Sequence, residues 1–381
     1  MKRHAGLLAA VVLLAGCAGA EPGTEPVVEP EPTVLEGAAP PSERVDEASL
    51  PLALSGLSIL DPGWDDVPRE IDGLLLGLDH PDDGEPLRFV AAREDGTLLW
   101  EAERPPSCTG FALTRAEGRP VAVLTDVAPG HDTVAQTSAS AYDLTTGELV
   151  WGPVDVPGRL QGPGTVFAAP APGAAMGDTG PRVVLDPDTG EVMADEEHDV
   201  VVVGEYGGVV LTATDDTLSA SGAGTPWDLP LTDLGAMSAP AALPGVDAPP
   251  GTALLGEPGA TSGALIDVTT GEILATGVHD AVTEPISGTL VTVEGDHLVG
   301  YPATGDRWER PLEGMSLSAA GNLFAYIRSD SAIRAVNVVT GADAVAYDDA
   351  VATPAVPVLV TAGGATVVDG NQLALVVPSD W

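Results

Sequence analysis

The sequence predicts an all-β fold, a β-propeller of eight four-stranded blades with seven as the alternative, and three observations carry that expectation. A hairpin-forming segment, YDLTTGELVW at residues 142–151, recurs in weaker copies from about residue 90 to residue 345. Its turn glycine returns at Gly96, Gly147, Gly190, Gly224, Gly271, Gly305 and Gly341, a mean step of about 41 residues, which is the length of one blade. Beyond the first 17 residues no stretch sets good helix formers at helical spacing. The 46 glycines and 35 prolines instead suit many short strands joined by tight turns.

Each part of the repeated unit has a physical task. Asp143 closes a strand, and its carboxylate accepts N–H groups from the turn that follows. Thr146 does the same with its hydroxyl. Gly147 supplies the left-handed position at which the hairpin returns. Glu148 opens the next strand, which ends in the large ring of Trp151. A lone hairpin of this kind is marginal in water, so repetition is what makes a fold of it. Close copies carry Asp186, Gly190 and Glu191, and Asp267, Gly271 and Glu272; looser ones surround Gly96, Gly224, Gly305 and Gly341. Trp100, Trp151, Trp227 and Trp308 follow their turns, whereas Ala194 and Ala275 stand where two more would be expected.

The pattern of an apolar residue, Asp, two variable residues, Thr-Gly-Glu, two variable residues and Trp resembles the quinoprotein-like (PQQ-like) propeller repeat, in a bacterial lipoprotein setting. That resemblance implies rings docked between neighbouring blades. It does not imply the cofactor: quinone-dependent dehydrogenases of the family carry a vicinal cysteine pair and a Ca²⁺ site of Glu, Asn and Asp, and this chain has no Cys-Cys. Neither PQQ nor Ca²⁺ is expected.

In chain order, residues 1–16 read as a lipoprotein signal peptide, with Lys2 and Arg3 ahead of a short apolar run. Leu14-Ala15-Gly16-Cys17 resembles the lipobox, which implies that Cys17 becomes the acylated first residue of the mature protein. Multiple acyl chains give durable membrane anchoring. Residues 17–50 are rich in Pro, Glu and Ala and read as an extended acidic linker. The propeller is expected over 51–381. There, residues 71–79, 87–93 and 97–102 read as the last three strands of a first blade. Three tail strands near 356–360, 365–368 and 373–377 need a fourth, for which 51–56 is the natural donor, since closing the ring removes exposed sheet edges.

The formal charge is −42, from 57 acidic against 15 basic residues. Nucleic acid is excluded as a partner, because its phosphates need a basic surface. Lys2 is the only lysine, a bias of GC-rich coding; a halophile's solvated acidic surface is a rival account of the charge.

Candidate chemistry is sparse. With Cys17 acylated, Cys108 is left alone, and an inert thiol is expected. His198-Asp199 and His279-Asp280 each follow a turn glycine by the same offset, and Asp155 and Asp349 hold that phase in other repeats. Imidazole and carboxylate suit divalent cations, so these are the weak metal candidates; capping of an exposed loop is the plainer reading. The acidic turn at residues 79–83 lacks the ligand spacing of a Ca²⁺ loop. No glycine-flanked Ser elbow is visible.

The expectation is a lipid-anchored extracytoplasmic propeller, on the outer leaflet of the cell membrane or on the outer membrane of a diderm cell. It acts as a non-enzymatic binding or scaffolding module for a protein or cationic ligand. The rival is an envelope enzyme, such as a degenerate quinone-dependent oxidoreductase.

Overall fold

The structure, a computed structural model, describes residues 31–80, 85–108, 110–128, 136–170, 179–198, 200–235, 237–329, 332–348, 351 and 353–379. Cys17, and with it the signal and acylation site, lies outside them, as do Asp199, Asp349, Asp82 and Asp83.

The chain is a β-propeller. Among the described residues it forms β-strands and three single-turn 3₁₀ segments, with no α-helix. Every strand pairs antiparallel with its neighbour, mostly in four-stranded meanders. The first unit holds Arg69–Ile71, Leu74–Asp79, Leu87–Arg93 and Leu98–Arg104, and the second holds Phe111–Ala116, Arg119–Ala128, Gln136–Asp143 and Leu149–Val156. The third holds Arg159–Leu160, Val166–Pro170, Thr179–Leu185 and Val192–Asp195. Val201–Tyr206, Val209–Ala213, Thr217–Gly222 and Trp227–Pro230 make the fourth.

A seven-stranded sheet follows, and it divides within its longest strand, Ile273–Thr283. The first half of that strand pairs with Gly263–Asp267 in the fifth unit, and the second half with Leu290–Glu294 in the sixth. The seventh unit runs from Ser316–Gly321 to Asp343–Ala344. The eighth joins the tail strands Val356–Val360, Ala365–Asp369 and Gln372–Val377 to Ser58–Leu60 from the other end of the chain.

Apolar clusters lie between consecutive units and close the circle. Leu124, Tyr142 and Leu144 of the second unit pack with Phe89 and Trp100 of the first. Val166 and Val184 meet Val202 and Val210 across the next seam but one. At the far end Leu373 and Leu375 of the eighth unit pack with Leu75 and Val90 of the first. Each sheet is thus buried on both faces, so its strands are continuous runs of Val, Leu and Ala; the second strand of the first unit reads LLLGLD.

Three sequence expectations need correction. The ring-closing strand is Ser58–Leu60, paired to Val377, Val376 and Leu375; residues 51–56 instead contain a 3₁₀ turn at Leu52–Leu54. Leu50 and Leu54 accompany the difference: both are buried against the eighth unit, and the segment between them is tied by turn bonds and by Leu52 N–H to the Ala346 carbonyl instead of by strand pairing. Second, the linker is shorter than residues 17–50. Thr33–Val34 pairs with the outer strand of the first unit, and Val45 is buried in the eighth. Leu35, Gly37 and Ala39 trade backbone bonds with Leu99, Leu98 and Gly96, so residues 31–61 strap the seam between the last and first units. Third, residues 71–79 are not one strand. Asp72, at φ 53°, and Gly73 make a two-residue turn that assigns Ile71 to the inner strand.

Candidate binding faces of the ring

An up-down-up-down unit puts its first and third turns on one end of the ring, and its middle turn and the crossing to the next unit on the other. The Thr-Gly turns therefore share one face.

Their local chemistry follows the sequence. Asp143 accepts the N–H groups of Thr145 and Thr146 at 2.9 and 3.0 Å, while the Thr146 hydroxyl accepts from Glu148 N–H. Asp186 accepts the N–H of Asp188. Asp267 repeats the motif; burial pushes its carboxyl up, but the donors from Thr269 and Thr270 prevail and hold it below the usual range. Gly147, Gly190, Gly271 and Gly341 all lie at φ between 70° and 75°.

Each repeat tryptophan docks in the turn of the following unit. Trp100 donates its indole N–H to the Leu144 carbonyl, Trp151 to Pro187, Trp227 to Val268 and Trp308 to Val338. Each acceptor is the residue after the turn's Asp or Asn. The same ring covers the turn glycine: a Cβ on Gly190 would sit 2.7 Å from Trp151, and one on Gly271 2.9 Å from Trp227. Ala194 and Ala275 supply no ring, and the turns they would have served, at Gly224 and Gly305, lack the Asp or Asn that leads the turns at Gly147, Gly190, Gly271 and Gly341. Motif and ring are therefore present or absent together, across a seam. At the ring closure Leu60 takes the tryptophan's place over Gly96.

On the inner rim of this face three glutamates brace their own first turns, and two of them also reach neighbouring units. Glu70 accepts the N–H of Gly73, Glu205 that of Gly208, and Glu284 that of Ser287, each at 2.6 Å. Glu205 also takes the Thr114 hydroxyl at 2.5 Å and the Thr165 N–H at 3.2 Å, so one carboxylate joins units two, three and four. It is 1% exposed, and burial drives its carboxyl up to about 7 despite those donors. Glu284 accepts the Leu323 N–H of the next unit, and its donors outweigh burial to hold it low.

The opposite face carries the sequence-predicted metal candidates, and the fold does not gather them. His198 stands largely exposed, 3.5 Å from Asp195. His279 is bonded through Nδ1 to the Thr261 carbonyl. Asp280 accepts from the Ala281 N–H and is pushed up to about 6, chiefly by burial. His80 contacts Asp66 and His297 contacts Asp296, so all four described histidines occupy this face. No three His, Cys, Asp or Glu side chains converge as a metal site among the described residues. A groove of about 250 Å³ between units two and three includes Asp155, Asp195 and Glu197 over Val183 and Val192. Asp79 of the acidic turn is engaged by Arg88. Cys108 is buried, and burial pushes its thiol up.

No family model and no curated protein matches this chain. Among solved structures it is similar to apo AztD from Citrobacter koseri, at 10% identity over 79% of each chain with a TM-score of 0.36. It is similar to an inactive virginiamycin B lyase from Staphylococcus aureus with quinupristin, at 10% identity over 82% of this chain and 98% of that one, TM-score 0.34. A third is the β-propeller domain of the Trilobed protease from Pyrococcus furiosus, at 9% identity over 75% and 96%, TM-score 0.36. At scores this low the propeller assignment rests on the sheet order and seams described above.

Proposed function

We propose that the chain is an extracytoplasmic, lipid-anchored propeller of eight blades that binds a basic or cationic partner, without catalysis. The observation that carries this reading is the charge balance. Eight arginines are already committed to carboxylates within the chain, Arg88 to Asp79 and Arg182 to Glu196 among them. With a formal charge of −42, a large excess of carboxylate is left unneutralised. A field of one sign steers a partner of the other and raises its rate of encounter.

The test is fluorescence anisotropy with a labelled arginine-rich peptide, titrated at rising salt. Binding that weakens steeply with salt is expected, since the Debye length falls to about 3 Å at 1 M. Salt-independent binding, or equal affinity for an acidic peptide, contradicts the proposal. Reduction of a dye in the presence of added quinone and Ca²⁺ would establish the enzymatic rival instead.

A further inference from the structure

The repeated turns show what each turn position needs for folding, so a unit that departs from the others without structural cause stands out. Four units join their first and second strands by a two-residue turn with both residues at positive φ. The second residue is Gly73, Gly118 or Gly208 in three of them; in the seventh unit it is Leu323, at φ 68°. A leucine there is strained, because its Cβ crowds the neighbouring carbonyl. It earns no compensating burial, being 39% exposed.

The Thr-Gly turn of the same unit departs as well. Its third position is Thr145, Asp188 or Thr269 in the motif-bearing turns of other units, and here it is Val339, 38% exposed. The leading aspartate is replaced by Asn337, which makes the same turn bonds without the charge. The two turns touch, since Val338 N–H donates to the Leu323 carbonyl. Glu284 then ties Leu323 to the sixth unit's turn, where Ile286 is 60% exposed.

We propose that Ile286, Leu323 and Val339 form the docking patch of the Thr-Gly face, receiving an apolar side chain from a basic partner protein. This rests on the cationic-partner reading and adds where the partner sits. A second copy of this chain is the wrong occupant, because two molecules each carrying −42 repel one another. Three side chains are an anchor point, not a whole interface, and suit a partner whose remaining contacts are charged. The strained backbone of Leu323 is then the cost of presenting an apolar group at this turn.

The experiment compares two labelled arginine-rich peptides of equal charge, one carrying leucines and the other serines in their place. The leucine peptide should bind about tenfold tighter or better, as burial of one leucine side chain allows. In the double variant Leu323→Gly, Val339→Thr, which restores the residues other units use, that preference should shrink to about twofold or less. The variant Thr145→Ala in the second unit should leave it intact. Equal binding of both peptides to the parent chain overturns the patch while leaving the cationic-partner reading standing; failure of both to bind removes that reading too. A preference that survives the double variant overturns the patch. So does self-association by sedimentation that the double variant abolishes, because it makes the occupant a second copy.

Discussion

The indole of Trp151 donates to the carbonyl of Pro187 at 2.7 Å and covers Gly190, so a residue of one unit completes the turn of the next. Burying an aromatic ring removes about 150–250 Å² from water, on the order of 4–6 kcal/mol of driving force. Trp151→Ala should therefore destabilise the chain by about 3–5 kcal/mol. Trp151→Phe, which keeps most of the ring and loses the donor, should cost roughly half as much. Chemical denaturation with both variants checks the order; equal losses would show that the ring retained by Phe contributes nothing, and no loss in Trp151→Phe would show that the hydrogen bond contributes nothing.

Gly271 and Gly277 separate two costs of a side chain. Both have positive φ, 75° and 69°, but a Cβ on Gly271 meets Trp227, whereas one on Gly277 meets nothing within 4 Å. Gly277→Ala should cost about 1–2 kcal/mol for the backbone alone. Gly271→Ala should cost that and about 1–3 kcal/mol more, for displacing a packed ring. Melting temperatures of the two variants measure the difference.

Glu205 gives the chain a pH dependence of definite sign. Its carboxyl is raised to about 7 when folded, against 4.5 when unfolded. Between those values the folded chain holds a proton that the unfolded chain has released. Its contribution is thus fullest below pH 4.5 and is lost as pH rises through 7, by roughly 3 kcal/mol. Glu205→Gln removes the titration, so unfolding free energies measured from pH 5 to pH 8 should fall less with pH in the variant than in the parent. Parallel slopes would show that Glu205 does not titrate there.

Leu323→Gly should leave stability unchanged or raise it by up to about 1 kcal/mol, since it relieves a left-handed leucine at an exposed site. A loss of more than about 1 kcal/mol in denaturant would mean that Leu323 serves the fold.

Much of this was legible in the sequence because the turn is local chemistry. Asp143, Thr146 and Gly147 form their bonds within five residues, and any chain with that spacing can be read for them. The identity of each ring's acceptor was not, because Trp151 and Pro187 meet only once two units pack. Closure by Ser58–Leu60 was missed by a few residues for the same kind of reason: the burial of Leu50 and Leu54 is decided by the eighth unit. Glu205 gave no signal, since its partners Thr114 and Thr165 lie in two other units. Val339 did give one, as an apolar residue where aligned repeats carry Thr or Asp. The histidine–aspartate pairs shared a phase in sequence and share a face in the structure, but the circumference keeps His198 and His279 apart by placing them at different seams.

Both binding proposals need a ring that closes on itself, and Ser58 opposite Val377 is where it closes. Directly opposed antiparallel residues have Cα atoms about 4.5–5.5 Å apart, within disulfide range. In a chain carrying Cys17→Ser, the pair Ser58→Cys and Val377→Cys should oxidise to an intramolecular bridge that speeds migration on a non-reducing gel and raises the melting temperature. No bridge, or bridges formed only between two chains, would contradict closure of the ring through this strand.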